Sequence, residues 1–233
     1  MESSATQPTV RKVFWEDPYK TSLFTSVKTV QGDEITLYDT IFYAFSGGQE
    51  SDAGTIGTHR VLQAEKRGLD ILYRLEAGHG LVPGDAVEVE IDWSRRYALM
   101  RLHFAAEVVL EMVLRLAPGI EKIGAHISPS KARIDFGWSS NIAELFPRLQ
   151  EGVSQIVASN EAITSAYSSE VDQRRYWKID AFAAVPCGGT HLRRTGEIGE
   201  IELRRKNVGR GKERIEISLR YNEAAPTHRE KAA

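Results

Sequence analysis

The sequence predicts an α+β protein in two parts. A small β-barrel-like domain comes first, followed by a domain with two long helices on a mainly antiparallel sheet. Three observations predict it. Up to Asp92 the chain is a series of short strand-like runs separated by turn residues. At Asp92 the pattern switches to helical spacing. Near the end, two strand-like runs flank a glycine-containing loop. The resulting division is 1–92 for the barrel-like domain, 93–222 for the α+β domain and 223–233 for a small, polar, flexible tail.

In the first part, "DEITLYDTIFYAF", "GTIGTHRVLQAEK", "LDILYRLE" and "AVEVEID" are rich in β-branched and aromatic residues. The turns "QGDE", "RGLD" and "VPGD" separate them, a spacing that suits a small barrel or folded sheet. In the second part, "DWSRRYALMRLHFAAEVVLEMVLRLAPG" has an early Asp or Ser cap and stops at Pro118-Gly119. Leu99, Leu102, Ala106, Val109, Leu110 and Val113 recur at steps of three and four, which predicts one buried face. "KARIDFGW" reads as a strand, and "SSNIAELFPRLQEGVSQIVASNEAIT" as a second long helix disturbed at Pro147. "SEVDQRRYWKIDAFAA" is mixed. "IGEIELRRKN" and "ERIEISLRY" are strands joined by "VGRGK".

Bulk properties narrow the function. The net charge of -2 excludes a global field for polyanions, so any nucleic-acid surface must come from local clustering of Lys and Arg. A single cysteine excludes a disulfide scaffold and suits a reducing compartment. No apolar run approaches the roughly 20 residues that span a bilayer. The start, "MESSATQPTVRKVFW", lacks an apolar signal core. The expectation is a cytoplasmic protein without a membrane segment.

Four constellations carry chemistry. His103 and Glu107 stand four apart on the first predicted helix, on one face and about a turn from each other. A hydrogen-bonded or solvated pair is the ordinary reading of that spacing; a shared metal ion is the functional one. Cys187 and His191 flank Gly188, Gly189 and Thr190 in "PCGGTH", where the glycines permit a tight turn that lets thiol and imidazole converge. The ordinary reading is an inert thiol beside a turn. Together the pairs supply two imidazoles, one thiolate and one carboxylate, a plausible tetrahedral zinc set. The third feature, "GGQESDAGTIG", holds Gly47, Gly48 and Gln49 and lacks the Lys-Ser/Thr of a P-loop; spacing alone makes it a tight turn between strands. The fourth is a basic tract of Arg193, Arg194, Arg204, Arg205, Lys206, Arg210, Lys212 and Arg214. It suits either a phosphate backbone or a solvated sheet face.

Several of these segments point to a family. "PCGGTHLRRTGEIGEIEL" closely resembles the CGGTH–TGEIG signature of the alanyl-tRNA synthetase editing domain and of its free-standing relatives, the AlaX trans-editing proteins. A more distant cousin is the second-domain module of threonyl-tRNA synthetase. "FYAFSGGQESDAGTIG" is similar to the FYPEGGGQ-SD-GTI segment of the β domain in the synthetase and the longer AlaX forms. "KIGAHISPSKARIDF" and "ERIEISL" also look like AlaX segments, so the resemblance runs from about Asp33 to Leu219.

The resemblance implies a small β-barrel domain followed by an α+β editing domain. It implies hydrolysis of the ester that joins a wrong amino acid, typically serine and sometimes glycine, to tRNA for alanine. It also implies zinc, held in the family by an HxxxH pair and a CxxxH pair. Carried onto this chain, the ligands are His103, Cys187 and His191, with position 107 as the fourth. There the chain departs, because Glu107 stands where the family has His. It either ligates through oxygen or acts as a general base. Phe45 and Ser46 also replace the family's Glu and Gly.

Thr190 and the amides of Gly188 and Gly189 are candidates for positioning substrate, Gly47, Gly48 and Gln49 for a substrate loop, and the basic tract for tRNA. Acting without an aminoacylation domain, the chain would edit in trans. Three rivals stand beside this reading. His103, Glu107 and His191 also compose the two-histidine, one-carboxylate set of non-haem iron, against which Cys187 argues. The fold could also serve another small ester or amide, or bind tRNA without activity.

Overall fold

The computed structural model describes residues 9–220. The predicted tail at 223–233 lies outside the described residues. The chain divides into two compact units: residues 1–46 with 51–92, and residues 47–50 with 93–233. The class is α+β, with a curled antiparallel sheet in the first unit and two helices with further antiparallel sheets in the second. Among the described residues no helix is long and apolar enough to cross a membrane.

The first unit contains β1 (Arg11–Lys12), β2 (Ser22–Gln31), β3 (Glu34–Leu37), β4 (Asp39–Thr40), β5 (Gly54–Ile56), β6 (His59–Arg60), β7 (Gln63–Arg67), β8 (Asp70–Arg74) and β9 (Ala86–Ile91). Seven of these form one sheet in the order β6-β5-β9-β2-β3-β8-β7, while β1 pairs with β4. Every pairing in the large sheet is antiparallel. Alternation explains it: Val87, Val89 and Ile91 on β9, and Ile71 and Tyr73 on β8, point inward between exposed or half-exposed neighbours. They meet Val27, Ile35, Leu37 and Ile56 in one apolar core.

The second unit contains α1 (Trp93–Leu116), β10 (Glu121–Ile127), β11 (Ala132–Gly137), α2 (Phe146–Ser159), β12 (Thr164–Ser169), β13 (Arg174–Ile179), β14 (Ala183–Pro186), β15 (Ile201–Gly209) and β16 (Lys212–Leu219). The four-stranded sheet runs β10-β11-β16-β15 and the three-stranded sheet β12-β13-β14, both antiparallel. Helix α1 packs against α2, β10, β11 and β16.

Two expectations change. Helix α1 is not buried on one face alone: every residue from Leu99 to Ala106 is buried, including Arg101 and His103. The helix is wrapped by its neighbours, and the periodic apolar residues are only part of what it buries. Arg101 is satisfied by donating from Nε to the carbonyl of Ile198 at 3.1 Å. The second helix is shorter than its pattern. A 3-10 turn at Ile142–Leu145 precedes it, and Pro147 sits in its first turn, where a missing N–H costs no hydrogen bond. Asn160 in the left-handed region ends it, and the following "TSAYSS" becomes β12.

Candidate metal centre

Three chain segments bring the chemistry together within the second unit. Helix α1 presents His103 from its fully buried stretch. Strand β14 ends at Pro186, and the next residue, Cys187, is tied to β13 by its N–H donating to the carbonyl of Arg175 at 2.9 Å. The loop then delivers His191, which is 4% exposed. The donor atoms of His103, Cys187 and His191 all lie within 4.8 Å of one another. His103 Nε2 is 3.3 Å from Cys187 Sγ, and the two imidazoles stack with centroids 5.4 Å apart.

These residues fit a metal ion. Ser165 Oγ on β12 holds His191 Nδ1 at 2.8 Å, while His191 Nε2 is buried with no hydrogen-bond partner among the described residues. An orphaned buried imidazole nitrogen is costly unless something else takes its lone pair. Ligand bonds of about 2.0–2.3 Å in a tetrahedral set put neighbouring nitrogen and sulfur donors about 3.5 Å apart, close to the spacing of His103 and Cys187. A hydroxyl on the far ring nitrogen is also how ligating histidines are oriented.

Burial sets the protonation of the empty-handed donors. It holds His103 below the usual imidazole value, against the opposing pull of the Glu107 carboxylate. It holds His191 well below that value, helped by His103 and Arg175. The Cys187 thiol is pushed up to about 12 by burial and by the negative charge of Glu107. Both imidazoles are therefore neutral and ready to ligate near pH 7, and the thiol carries the one proton that a cation must displace.

Gly189 has a role other than the predicted turn. Its backbone lies outside the left-handed region, but a Cβ there would sit 2.5 Å from His103 Nε2 and 3.1 Å from Gln49 Oε1. The absent side chain is what lets the loop close over the histidine. The Gly189 N–H points at Cys187 Sγ from 3.5 Å.

The glycine-rich segment is also more than a turn between strands. Residues Gly47–Glu50 belong to the second unit. There Ile127 N–H donates to the Gly48 carbonyl at 2.8 Å and Glu50 N–H to the Ile127 carbonyl at 3.0 Å, so the tip extends β10 as a parallel bridge. Gly48 has φ +88°, and a Cβ there would lie 2.6 Å from the Ala125 carbonyl oxygen, so the position demands glycine on both counts. This fixes Gln49, which is wholly buried and donates from Nε2 to Thr190 Oγ1 at 3.0 Å. Its Oε1 is buried with no partner.

Glu107 stands outside the three-donor group. Among the described residues its one side-chain hydrogen bond is to Oε2, from the indole N–H of Trp177 at 3.0 Å. Sequence reasoning missed Trp177 and Ser165. Neither lies in a motif, and each reaches its partner only through the pairing of β12 with β13.

The basic tract splits. Arg205 makes a bidentate pair with Glu213, which also accepts from Asn207 at 3.0 Å. Arg214 is bound bidentately to Asp135, and Arg204 pairs with Glu202. Arg194 donates from Nη2 to the Asn160 carbonyl at 2.6 Å, while the Arg193 and Arg194 N–H groups both reach Glu197. Lys206, Arg210 and Lys212 are exposed at the β15–β16 hairpin end, and none makes a side-chain hydrogen bond or ion pair with another described residue.

Comparison with known proteins agrees with this architecture. The family described as "Threonyl and Alanyl tRNA synthetase second additional domain" matches residues 178–216, the span that holds Cys187 and His191. The alanyl-tRNA editing protein AlaX-M of Pyrococcus horikoshii is 33% identical, covering 90% of this chain and 97% of its own. AlaX-M of Methanosarcina mazei is 30% identical, covering 82% of this chain and 89% of its own. The alanine–tRNA ligase of Pyrobaculum arsenaticum is 33% identical over 85% of this chain, which corresponds to 25% of the ligase. Near-complete coverage of both chains at this identity decides the matter: this chain belongs to the AlaX-M family of alanyl-tRNA editing proteins.

Proposed function

We propose that this protein is a trans-editing hydrolase that removes serine or glycine from mischarged tRNA for alanine, using a zinc ion held by His103, Cys187 and His191. The observation that carries the reading is the His103–Cys187–His191 trio, with His191 Nε2 buried and unpartnered among the described residues, in a chain of this family. A zinc ion bound there would supply Lewis acidity to an ester that is already activated. The remaining work belongs to the chain: holding the substrate, orienting water and excluding the wrong amino acid.

Gln49 and Thr190 are suited to the holding. The Gln49 amide is pinned by Thr190, which leaves Oε1 as a buried acceptor for a hydroxyl or ammonium group. An acceptor left unpaired by alanine and paired by serine discriminates between them far better than a change of size does. Thr190 Oγ1 accepts from Gln49, so its own proton is available to the ester carbonyl. The Gly188 and Gly189 amides and the backbone of Gly47 and Gly48 shape the cradle around these groups. Lys206, Arg210 and Lys212 offer the free cations for the tRNA backbone.

The reading is tested by deacylation of seryl-, glycyl- and alanyl-tRNA for alanine, with and without chelator, alongside metal analysis of the purified protein. The expected result is loss of serine or glycine, sparing of alanine, and abolition by chelator. Failure to deacylate any of the three would overturn it.

A further inference from the structure

We infer that Glu107 is no metal ligand but the proton acceptor for the attacking water, oriented by Trp177; the inference rests on the hydrolytic reading above. The carboxylate is committed on one side. Trp177 is fully buried, wedged by an edge-on contact with Phe104 at 5.1 Å and a stacked Phe182 at 6.5 Å, so its indole N–H has a fixed direction. It holds Glu107 Oε2 at 3.0 Å and leaves Oε1 without a hydrogen bond to any described residue. The carboxylate nevertheless stands close enough to the donor cluster for its charge to act on both His103 and Cys187. A metal ion held by these three donors would keep room for water or substrate, as catalytic zinc sites do. A carboxylate one helical turn from a donor histidine, held at one oxygen by a buried indole, is suited to take a proton from water.

Water gives one proton to Glu107 Oε1 as its oxygen bonds to the ester carbonyl carbon. The tetrahedral species then breaks its bond to the ribose oxygen, which takes that proton from Glu107. The products are the free amino acid and intact tRNA. Glu107 returns to its starting state, and no co-reactant besides water is used.

The test pairs Glu107→Gln with Cys187→Ala and reads both zinc content and deacylation kinetics. The amide keeps an oxygen for the indole and is isosteric, so folding is preserved. The expected result for Glu107→Gln is zinc content equal to the parent protein, KM within about threefold and kcat lower by about 100-fold or more. Cys187→Ala loses the zinc. Trp177→Phe keeps the ring packing but drops the N–H; it lowers kcat about tenfold in the parent and changes nothing in the Glu107→Gln background. Zinc lost from Glu107→Gln as from Cys187→Ala would make Glu107 a ligand and overturn the proposal. An unchanged kcat in Glu107→Gln, or an additive effect of Trp177→Phe, would overturn it while leaving the hydrolase reading intact. A zinc-loaded parent protein that deacylates nothing would bring down both.

Discussion

Two parts of the second unit bury polar side chains in opposite ways. On the four-stranded sheet, Glu213 is buried and receives two hydrogen bonds from Arg205 and one from Asn207, while Asp135 is shared by Arg214 and Arg133. Every strong acceptor there has its donors. Around His103, Cys187 and His191 the burial is as deep, yet His103 Nδ1, His191 Nε2 and Gln49 Oε1 have none. A network that only supports the fold is saturated, because an unpaired buried group costs about 1–3 kcal/mol. A region that tolerates such unfilled atoms around a His–Cys–His trio is suited to something that binds. The same residue types therefore mean different things according to whether their valences are filled.

The contrast can be broken at either end, most severely at the open one. Cys187→Ala removes the only anionic donor of the trio; zinc per chain falls to near zero and deacylation drops about 1,000-fold, as read by metal analysis and single-turnover kinetics. The same thiol sets the pH dependence. His103 and His191 are held below their usual value and compete with protons for nothing above about pH 7. The thiol, pushed up to about 12, must lose a proton on binding, so zinc affinity rises about tenfold per pH unit through pH 7–9 in competition titrations. Gly189→Ala drives a methyl group against His103 Nε2; deacylation falls about 100-fold and the melting temperature drops by a few degrees.

At the saturated end, Glu213→Gln leaves Arg205 facing an uncharged amide and costs about 2 kcal/mol in urea unfolding without touching kcat. The sign follows from the carboxylate. Arg205 holds Glu213 below its ordinary 4.5, so its contribution is fully present above that value and is lost as the pH falls through the lowered one. Glu213→Gln flattens that part of the acid limb. The smallest change is at the hairpin end: replacing Lys206, Arg210 and Lys212 together by alanine weakens tRNA binding about tenfold at 0.1 M salt, on the order of the counterion effect, and reduces the salt slope by about 2 to 3. A tRNA affinity indifferent to these three would return the patch to a solvated face.

What could be read from the residues alone divides along the same line. Strand alternation in β8, β9 and β16, the helix from Asp92 and the His–Cys–His trio were legible, because each depends on short-range spacing or on a dense motif. The one-faced reading of α1 was too narrow, since periodicity counts apolar residues and cannot see that Arg101 and His103 are buried among them. The length of α2 was overestimated because Pro147 inside a helical pattern looks like a break, whereas it opens the helix. The hydrogen bond from Gln49 to Thr190 spans 141 residues and that from Trp177 to Glu107 spans 70. No local pattern carries either one, and together they anchor the glycine-rich loop and the departing carboxylate.

That loop has a consequence for dissection of the molecule. The second unit is compact in space but interrupted in sequence, for four of its residues, Gly47–Glu50, are written into the first. A fragment beginning at Trp93 would carry all three donors and Glu107, yet it would leave Thr190 without its amide and the end of β10 without its parallel neighbour. On the proposed reading, metal uptake and amino-acid choice would then sit on separable stretches of the chain, and truncating at the apparent boundary would pass on the first without the second.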